Sequence, residues 1–129
     1  MIGKTHTITL TVDISRLAKT VGSGELAVLA TPMMIAAMEQ AASELLAQSL
    51  KAGETSVGTS IQVEHIAATP LGMQITATAA ITGVEGRMVQ FSVAAQDETG
   101  EIGRGTHTRV IVDAVRFQQK ADAKRGAAE

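Results

Sequence analysis

The sequence contains no cysteine, tryptophan or tyrosine, and only two phenylalanines occur among its 129 residues. The absence of cysteine excludes disulfides, zinc–thiolate sites and a cysteine nucleophile. The scarcity of aromatic side chains argues against the stacking platforms that bind single-stranded nucleic acid. Because 45% of the residues are nevertheless hydrophobic, the core must be built from Ala, Val, Ile, Leu and Met.

The chain also lacks an excess of charge and a long apolar run. The chain has 11 Lys and Arg and 13 Asp and Glu, for a net charge of −2. This balance does not indicate the basic surface by which proteins bind nucleic acid. No apolar run approaches the ~20 residues of a membrane span, and the N-terminus lacks the pattern of a secretory signal. We therefore expect a soluble, cytoplasmic protein with neither nucleic-acid nor membrane partners.

The hydrophobic pattern predicts a strand, a long helix and four further strands. Between Thr5 and Val12, threonines alternate with larger side chains, as in a half-buried strand. A helix is predicted from Pro32 to Leu50, with Thr31 as its N-cap. Its buried stripe follows i, i+3, i+4 spacing and consists of Met34, Ala37, Met38, Ala41, Ala42, Leu45 and Leu46. Four runs between Val57 and Val112, joined by short turns, predict consecutive antiparallel strands.

This order of elements predicts an α+β fold in which a curved antiparallel sheet wraps around one long central helix. The helix is apolar nearly all round from Pro32 to Ala42, so we expect it to be covered on most sides. A chain this short encloses such a helix poorly by itself, which favours a homodimer that continues the sheet. We expect one domain over residues 1–117, followed by a basic, Ala-rich tail at 118–129 that is frayed or disordered.

Glu39 is the first candidate for chemistry, because it lies in the apolar half of the predicted helix. None of its neighbours at i±3 and i±4 is a cation that could pair with its charge. Two interpretations stay open at this point. Glu39 either lies at a solvated edge of the helix beside Gln40, or it is a functional carboxylate in a partly apolar site.

His65 is the second candidate, because it shares the alternation of Val57, Ile61 and Val63 and should face the helix. It is either a satisfied core residue or the partner of Glu39 in a general acid–base pair. His6 and His107 lack such a context and are predicted to be structural. Three scattered histidines without paired spacing do not indicate a metal site, and we expect no cofactor.

Thr31 and Gly58 each have a structural and a functional interpretation. Thr31 either only caps the helix or also binds a ligand oxygen at its N-terminus. Gly58 lies inside a strand, where it marks either a bulge or the close approach of a backbone or ligand. An ideal helix places Thr31 and Glu39 about 12 Å apart along its axis. Both side chains could contact the same small ligand only if the helix began later or the Thr31 loop folded back.

Several segments together resemble the fluoroacetyl-CoA thioesterase family. They are Ala30-Thr31 with Met38-Glu39, Thr55-Ser56-Val57-Gly58-Thr59, His65-Ile66-Ala67-Ala68-Thr69-Pro70 with Gly72, Val84-Glu85-Gly86-Arg87, and Ile102-Gly103-Arg104-Gly105-Thr106-His107-Thr108-Arg109. The similarity runs from about Val28 to Phe117, in the family's order and with nearly identical spacing. It implies a hotdog fold, a homodimer and hydrolysis of acyl-CoA thioesters.

The resemblance also implies roles for individual residues. The family's catalytic Thr, Glu and His fall on Thr31, Glu39 and His65, with the Glu as nucleophile or as base for water. Its glycine near the thioester carbonyl falls on Gly58, and Arg109 is our second candidate for substrate binding. The alternative is a non-catalytic hotdog module that binds acyl-CoA or a related small ligand, since one fold serves unrelated functions.

One segment departs from the family pattern. In its fluoroacetyl-specific member, phenylalanines upstream of the catalytic Thr form a lid that helps to select the fluorinated acyl group. The corresponding segment here, 22–29, contains no aromatic residue. We therefore predict the fold and the catalytic positions from the resemblance, and we predict weak discrimination in favour of fluoroacetyl-CoA.

Overall fold

The computed structural model describes residues 1–126. Its main elements, in chain order, are β1 (Thr5–Thr11), α1 (Ala18–Val21), α2 (Thr31–Ala47), β2 (Glu54–His65), β3 (Gln74–Glu85), β4 (Met88–Asp97), β5 (Gly100–Asp113) and α3 (Ala114–Asp122). The predicted strand, long helix and four strands are thus confirmed in number and order. None of the helices among the described residues is long and apolar enough to span a bilayer.

The five strands form one antiparallel sheet in the order β1-β3-β4-β5-β2, which leaves β1 and β2 as its edges. Helix α2 packs across one face of this sheet. Its buried residues are those of the predicted stripe, from Met34 to Leu46. The α+β class and the sheet wrapped around one helix are therefore confirmed.

Small side chains let the helix lie close to the sheet. The helix-facing positions of β3 and β4 alternate with partly buried or exposed ones and include Ala77, Ala79 and Ala95, all buried. Phe91 is the largest fully buried side chain and lies on β4. A core built from Ala, Val, Ile, Leu and Met is thus sufficient here, because alanines on both layers shorten the distance between them.

The helix is less covered than its composition predicts. Within one chain, Pro32 and Ala36 are exposed, and Met33 and Ile35 are only partly buried. The expectation that the first half of α2 is covered on most sides is therefore wrong for a single chain. The reason is that a five-stranded sheet contacts only one side of the helix, so an apolar strip stays uncovered.

The face assignment of β2 also needs a correction. The register between β2 and β5 shifts between Gly58 and Ser60, so a bulge interrupts the alternation. Beyond the bulge Ile61 pairs with His107, and before it Gly58 pairs with Arg109, all on the helix side. Val57 consequently lies on the opposite face from His65, because one extra residue inverts the alternation.

The C-terminal segment forms α3, which begins at Ala114 with Asp113 as its cap. The predicted domain boundary after Phe117 falls inside this helix, whose residues 118–122 are exposed. The last part of the predicted tail, 127–129, lies outside the described residues.

Candidate active site

The first polar pair of the site joins the start of α2 to the end of β2. Thr31 Oγ1 and His65 Nδ1 are hydrogen-bonded at 2.8 Å. Thr31 is the first helical residue rather than the cap, since Ala30 occupies the N-cap position and no side chain caps the helix. The prediction that Thr31 caps the helix is therefore wrong. The helix begins one residue earlier than predicted, and the Thr31 hydroxyl bonds to the imidazole of His65 instead of capping the helix.

The imidazole of His65 is suited to proton transfer. Burial lowers the pKa of His65, and the backbone of Ala67 offsets this only in part, so the ring is neutral near pH 7. Its Nε2 is shielded from solvent and has no hydrogen-bond partner among residues 1–126. A neutral imidazole that is oriented through one nitrogen and free at the other is the usual form of a general acid–base catalyst.

A cavity of about 320 Å³ opens beside this pair. Thr31 and His65 form part of its wall, and the rest comes from Ala18, Ser23, Val28, Leu29 and the segment 66–68. The loop that precedes α2, which corresponds to the lid segment of the fluoroacetyl-specific family member, thus borders the cavity. It contributes only small and aliphatic side chains there.

The second polar group lies further along α2. The side chain of Glu39 is 42% exposed, and its Oε2 lies 4.0 Å from Nη1 of Arg109. An added Cβ on Gly58 would lie only 2.7 Å from the same Oε2. Gly58 therefore precedes a bulge, which confirms the structural interpretation, and it also leaves space for the Glu39 carboxylate. The close approach of a substrate to this glycine stays a prediction. The cation near Glu39 comes from β5 rather than from its own helix.

Arg109 is buried and held by the protein itself. Its Nε donates to Ser56 Oγ at 2.8 Å and its Nη2 donates to the Ser56 carbonyl at 3.0 Å. Nη1 lies 3.2 Å from Nε2 of His107. Burial lowers the pKa of Arg109 and the charge of Glu39 opposes this, and the guanidinium stays protonated at neutral pH. Nη1 also approaches the carboxylate of Glu39, at 4.0 Å from Oε2.

His107 is a site neighbour that the sequence interpretation missed. The sequence predicts a structural role for it; in the structure its Nε2 lies 3.2 Å from Nη1 of Arg109, and an added Cβ on Gly58 would lie 3.1 Å from its Cε1. The available signal was its spacing: residues two apart in a strand point to the same face. A histidine and an arginine at such spacing on an apolar face need partners, and here they are partners to each other.

One chain does not bring all the predicted site residues together. Thr31 and Glu39 belong to the same uninterrupted helix, which keeps them about 12 Å apart along its axis. Among residues 1–126, no hydrogen bond or ion pair joins Glu39 to Thr31 or His65. The site thus consists of a hydroxyl–imidazole pair and a separate carboxylate–glycine–guanidinium cluster. No three histidine or acidic side chains in the described part of the chain lie close enough to hold a metal ion.

Comparison with known proteins gives consistent matches over almost the whole chain. The family model described as fluoroacetyl-CoA-specific thioesterase matches residues 12–115. A fluoroacetyl-CoA thioesterase from Streptantibioticus cattleyicolor is 43% identical over 100 residues, which cover 78% of this chain and 72% of that protein.

Solved structures agree with the sequence match. A variant of a fluoroacetyl-CoA thioesterase in complex with acetyl-CoA superimposes with a TM-score of 0.93 at 33% identity, covering 98% of this chain and 99% of that one. A hot-dog-like protein from Thermanaerovibrio acidaminovorans has a TM-score of 0.88 at 26% identity, covering 98% and 93%. The fold predicted from the resemblance is thus confirmed as a hotdog fold, and the chain belongs to the fluoroacetyl-CoA-specific thioesterase family.

Proposed function

We propose that this protein is a thioester hydrolase that converts a small acyl-CoA to the free acid and CoA, with Thr31, Glu39 and His65 as its catalytic residues. The observation that carries the residue assignment is the Thr31–His65 pair, which lines a cavity and whose buried Nε2 has no hydrogen-bond partner among residues 1–126. The family match carries the reaction type.

Glu39 supplies the negative charge that the reaction needs. As a nucleophile, one carboxylate oxygen forms a bond to the thioester carbonyl carbon, the C–S bond breaks, and water then hydrolyses the resulting anhydride. As a general base, Glu39 takes a proton from the water that attacks the carbonyl carbon. In the general-base route, the proton taken from water passes through His65, which the Thr31 hydroxyl orients, to the departing CoA sulfur. In the nucleophile route, CoA leaves as a thiolate that takes its proton from solvent, and His65 then accepts the proton of the water that hydrolyses the anhydride and releases it to solvent.

We further propose that the protein works as a homodimer formed along β2. This strand is an edge of the sheet, and unpaired edge strands bind other strands readily. The uncovered strip of α2, which contains Pro32 and Ala36, provides apolar surface on the same side as Glu39. A second copy would cover this strip and extend the sheet.

Antiparallel pairing of two β2 strands would also unite the divided site. In such a pair, the C-terminal half of one strand lies beside the N-terminal half of the other. His65 ends β2 and Gly58 lies nearer its start. The Thr31–His65 pair of one subunit would therefore face the Glu39–Gly58 cluster of its partner. The free Nε2 of His65 would then donate to the partner's Glu39.

Mixing two inactive variants tests this arrangement. Glu39→Gln and His65→Ala homodimers should each release free CoA from acetyl-CoA very slowly. After both variants are unfolded together and refolded, about one quarter of wild-type activity should return, because half of the dimers are mixed and one of their two sites is intact. No recovery would place Glu39 and His65 of the same chain in one site. Undiminished activity of both single variants would refute the catalytic assignment.

The same assays separate hydrolysis from simple binding. Tight binding of acetyl-CoA without release of CoA by the wild-type protein would indicate the non-catalytic module instead. Light scattering during size-exclusion chromatography gives the oligomeric state independently of activity. The cytoplasmic location stays a prediction, which fractionation of the source cells tests.

A further inference from the structure

His107 is held on both edges of its ring. Nδ1 lies 2.8 Å from the carbonyl oxygen of Ser60, and Nε2 lies 3.2 Å from Nη1 of Arg109. The ring also stacks against Phe91, with centroids 5.9 Å apart and planes inclined by 31°. The side chain is almost completely buried, at 2% exposure. Its orientation is thus determined by three different neighbours.

These contacts allow only one form of the ring. A guanidinium only donates hydrogen bonds, so Nε2 of His107 must accept from Arg109. A carbonyl oxygen only accepts, so Nδ1 must carry the hydrogen that is donated to Ser60. His107 is therefore the neutral Nδ1–H tautomer. Burial, together with the charge of Arg109, lowers the pKa of His107, which agrees with a ring that stays neutral.

The hydrogen bond to His107 completes the positioning of Arg109. Ser56 holds the Nε and Nη2 side of the guanidinium, and His107 holds Nη1. Nη1 consequently lies 4.0 Å from Oε2 of Glu39, beyond hydrogen-bond distance. At this distance the cation stabilises the carboxylate charge electrostatically and leaves its oxygen lone pairs free.

We propose that His107 is a positioning residue for hydrolysis: it holds the Arg109 guanidinium beside Glu39 and away from a direct ion pair. A carboxylate in a direct, bidentate pair with arginine has its oxygens occupied by N–H donors. Without the acceptor at Nε2, the guanidinium would shift so that Nη1 approaches Oε2 of Glu39, which lies 4.0 Å away. This inference rests on the proposed role of Glu39, and it assigns no contact between His107 and the substrate.

Two substitutions separate the hydrogen bonds of His107. In His107→Gln, the amide oxygen takes the place of Nε2 and accepts from Arg109. In His107→Asn, the amide nitrogen takes the place of Nδ1 and donates to Ser60, while Arg109 loses its acceptor. The same pair of changes at His6, whose Nε2 contacts Glu44 at the surface, provides the matched control.

The positioning role predicts that kcat for release of CoA from acetyl-CoA falls by roughly 10- to 100-fold in His107→Asn, since displacements of ~1 Å have effects of this order. KM should change less than kcat, because His107 makes no contact with the substrate in this proposal. His107→Gln should recover most of the lost kcat, and the His6 variants should match the wild type. If His107 has a purely structural role, both His107 variants should lose thermal stability and their kcat values should be about equal.

A measurement on the wild-type protein keeps the inference testable even if a variant does not fold. Two-dimensional NMR of the ¹⁵N-labelled imidazoles identifies which ring nitrogen carries the hydrogen, and Nδ1–H is expected for His107. Finding Nε2–H, or equal kcat values in the two variants, would overturn the proposal. If Glu39→Gln is inactive while His107→Asn is fully active, the proposed function stands and the positioning role fails. An inactive wild-type protein would refute both.

Discussion

The Thr31 hydroxyl lies 2.8 Å from Nδ1 of His65, although the two residues are 34 positions apart in the chain. This contact sets the orientation of an imidazole that lines a cavity, and it uses a hydroxyl that the helix does not need as a cap. Loss of the Thr31–His65 hydrogen bond therefore removes no cap from α2. Substitutions of Thr31 should change catalysis and leave the stability of the helix nearly unchanged.

Thr31→Val should reduce kcat for release of CoA by about 100-fold, because the imidazole loses the group that orients it for proton transfer. Thr31→Ser keeps the hydroxyl and should retain most of the activity. Thermal unfolding of all three proteins should give nearly equal midpoints, since Thr31 is exposed and caps nothing. A large loss of stability in Thr31→Val alone would show that the bond is mainly structural.

Gly58→Ala should reduce kcat by roughly 10- to 100-fold, because displacement of a reacting group by ~1 Å has effects of this order. The added Cβ would lie 2.7 Å from Oε2 of Glu39, which is half-exposed and can move into solvent, and 3.1 Å from Cε1 of the buried His107. Some loss of stability should therefore accompany the loss of kcat.

Gly83→Ala is the matched control for this change. Gly83 also adjoins a bulge, and its added Cβ would lie 2.7 Å from a side-chain oxygen, that of exposed Gln90. This control should keep full activity in the same CoA-release assay. Equal activity losses in the two variants would attribute the effect to bulge geometry instead of to Glu39.

Both folding and activity should weaken as the pH falls below about 6.5. Burial is the main cause that lowers the pKa of His65 and of His107 from 6.5, their ordinary value. The unfolded chain therefore binds more protons than the folded protein in the window just below 6.5, so the free energy of unfolding falls as the pH falls through it.

Urea unfolding at about pH 7 and about pH 5.5, on either side of the ordinary histidine pKa, measures this dependence. Replacing His65 by Ala should make the dependence shallower, because one of the two contributing groups is removed. A protein that became more stable on acidification would contradict the buried, neutral state of both rings.

Fluoroacetyl-CoA and acetyl-CoA should be hydrolysed with kcat/KM values within about tenfold of each other, because small apolar differences between substrates give modest discrimination. The cavity beside Thr31 and His65 is bordered by Ser23, Val28 and Leu29 and by no aromatic side chain. Initial rates of CoA release with both substrates give the ratio directly. A strong preference for fluoroacetyl-CoA would mean that aliphatic side chains at this border are sufficient for selection.

The periodicity of the sequence determined the elements and the core. Alternation along each strand and the i, i+3, i+4 stripe of α2 are local patterns, so the buried residues Met34 to Leu46 could be named in advance. Glu39 and His65 could be singled out as candidates in the same way, because a charged or titratable side chain on an apolar face needs a reason to be there. The resemblance to a thioesterase family then supplied the reaction type.

Only the tertiary structure decided which side chains meet. The bulge after Gly58 inverts the face of Val57 relative to His65, and a pattern with period two cannot reveal one extra residue. The contacts of Arg109 with Ser56 and Glu39, and of His107 with Ser60, join β5 to residues about 50 or more positions away in the chain. Such contacts depend on strand register and helix placement. Those are properties of the packed chain as a whole, and no local sequence pattern contains them.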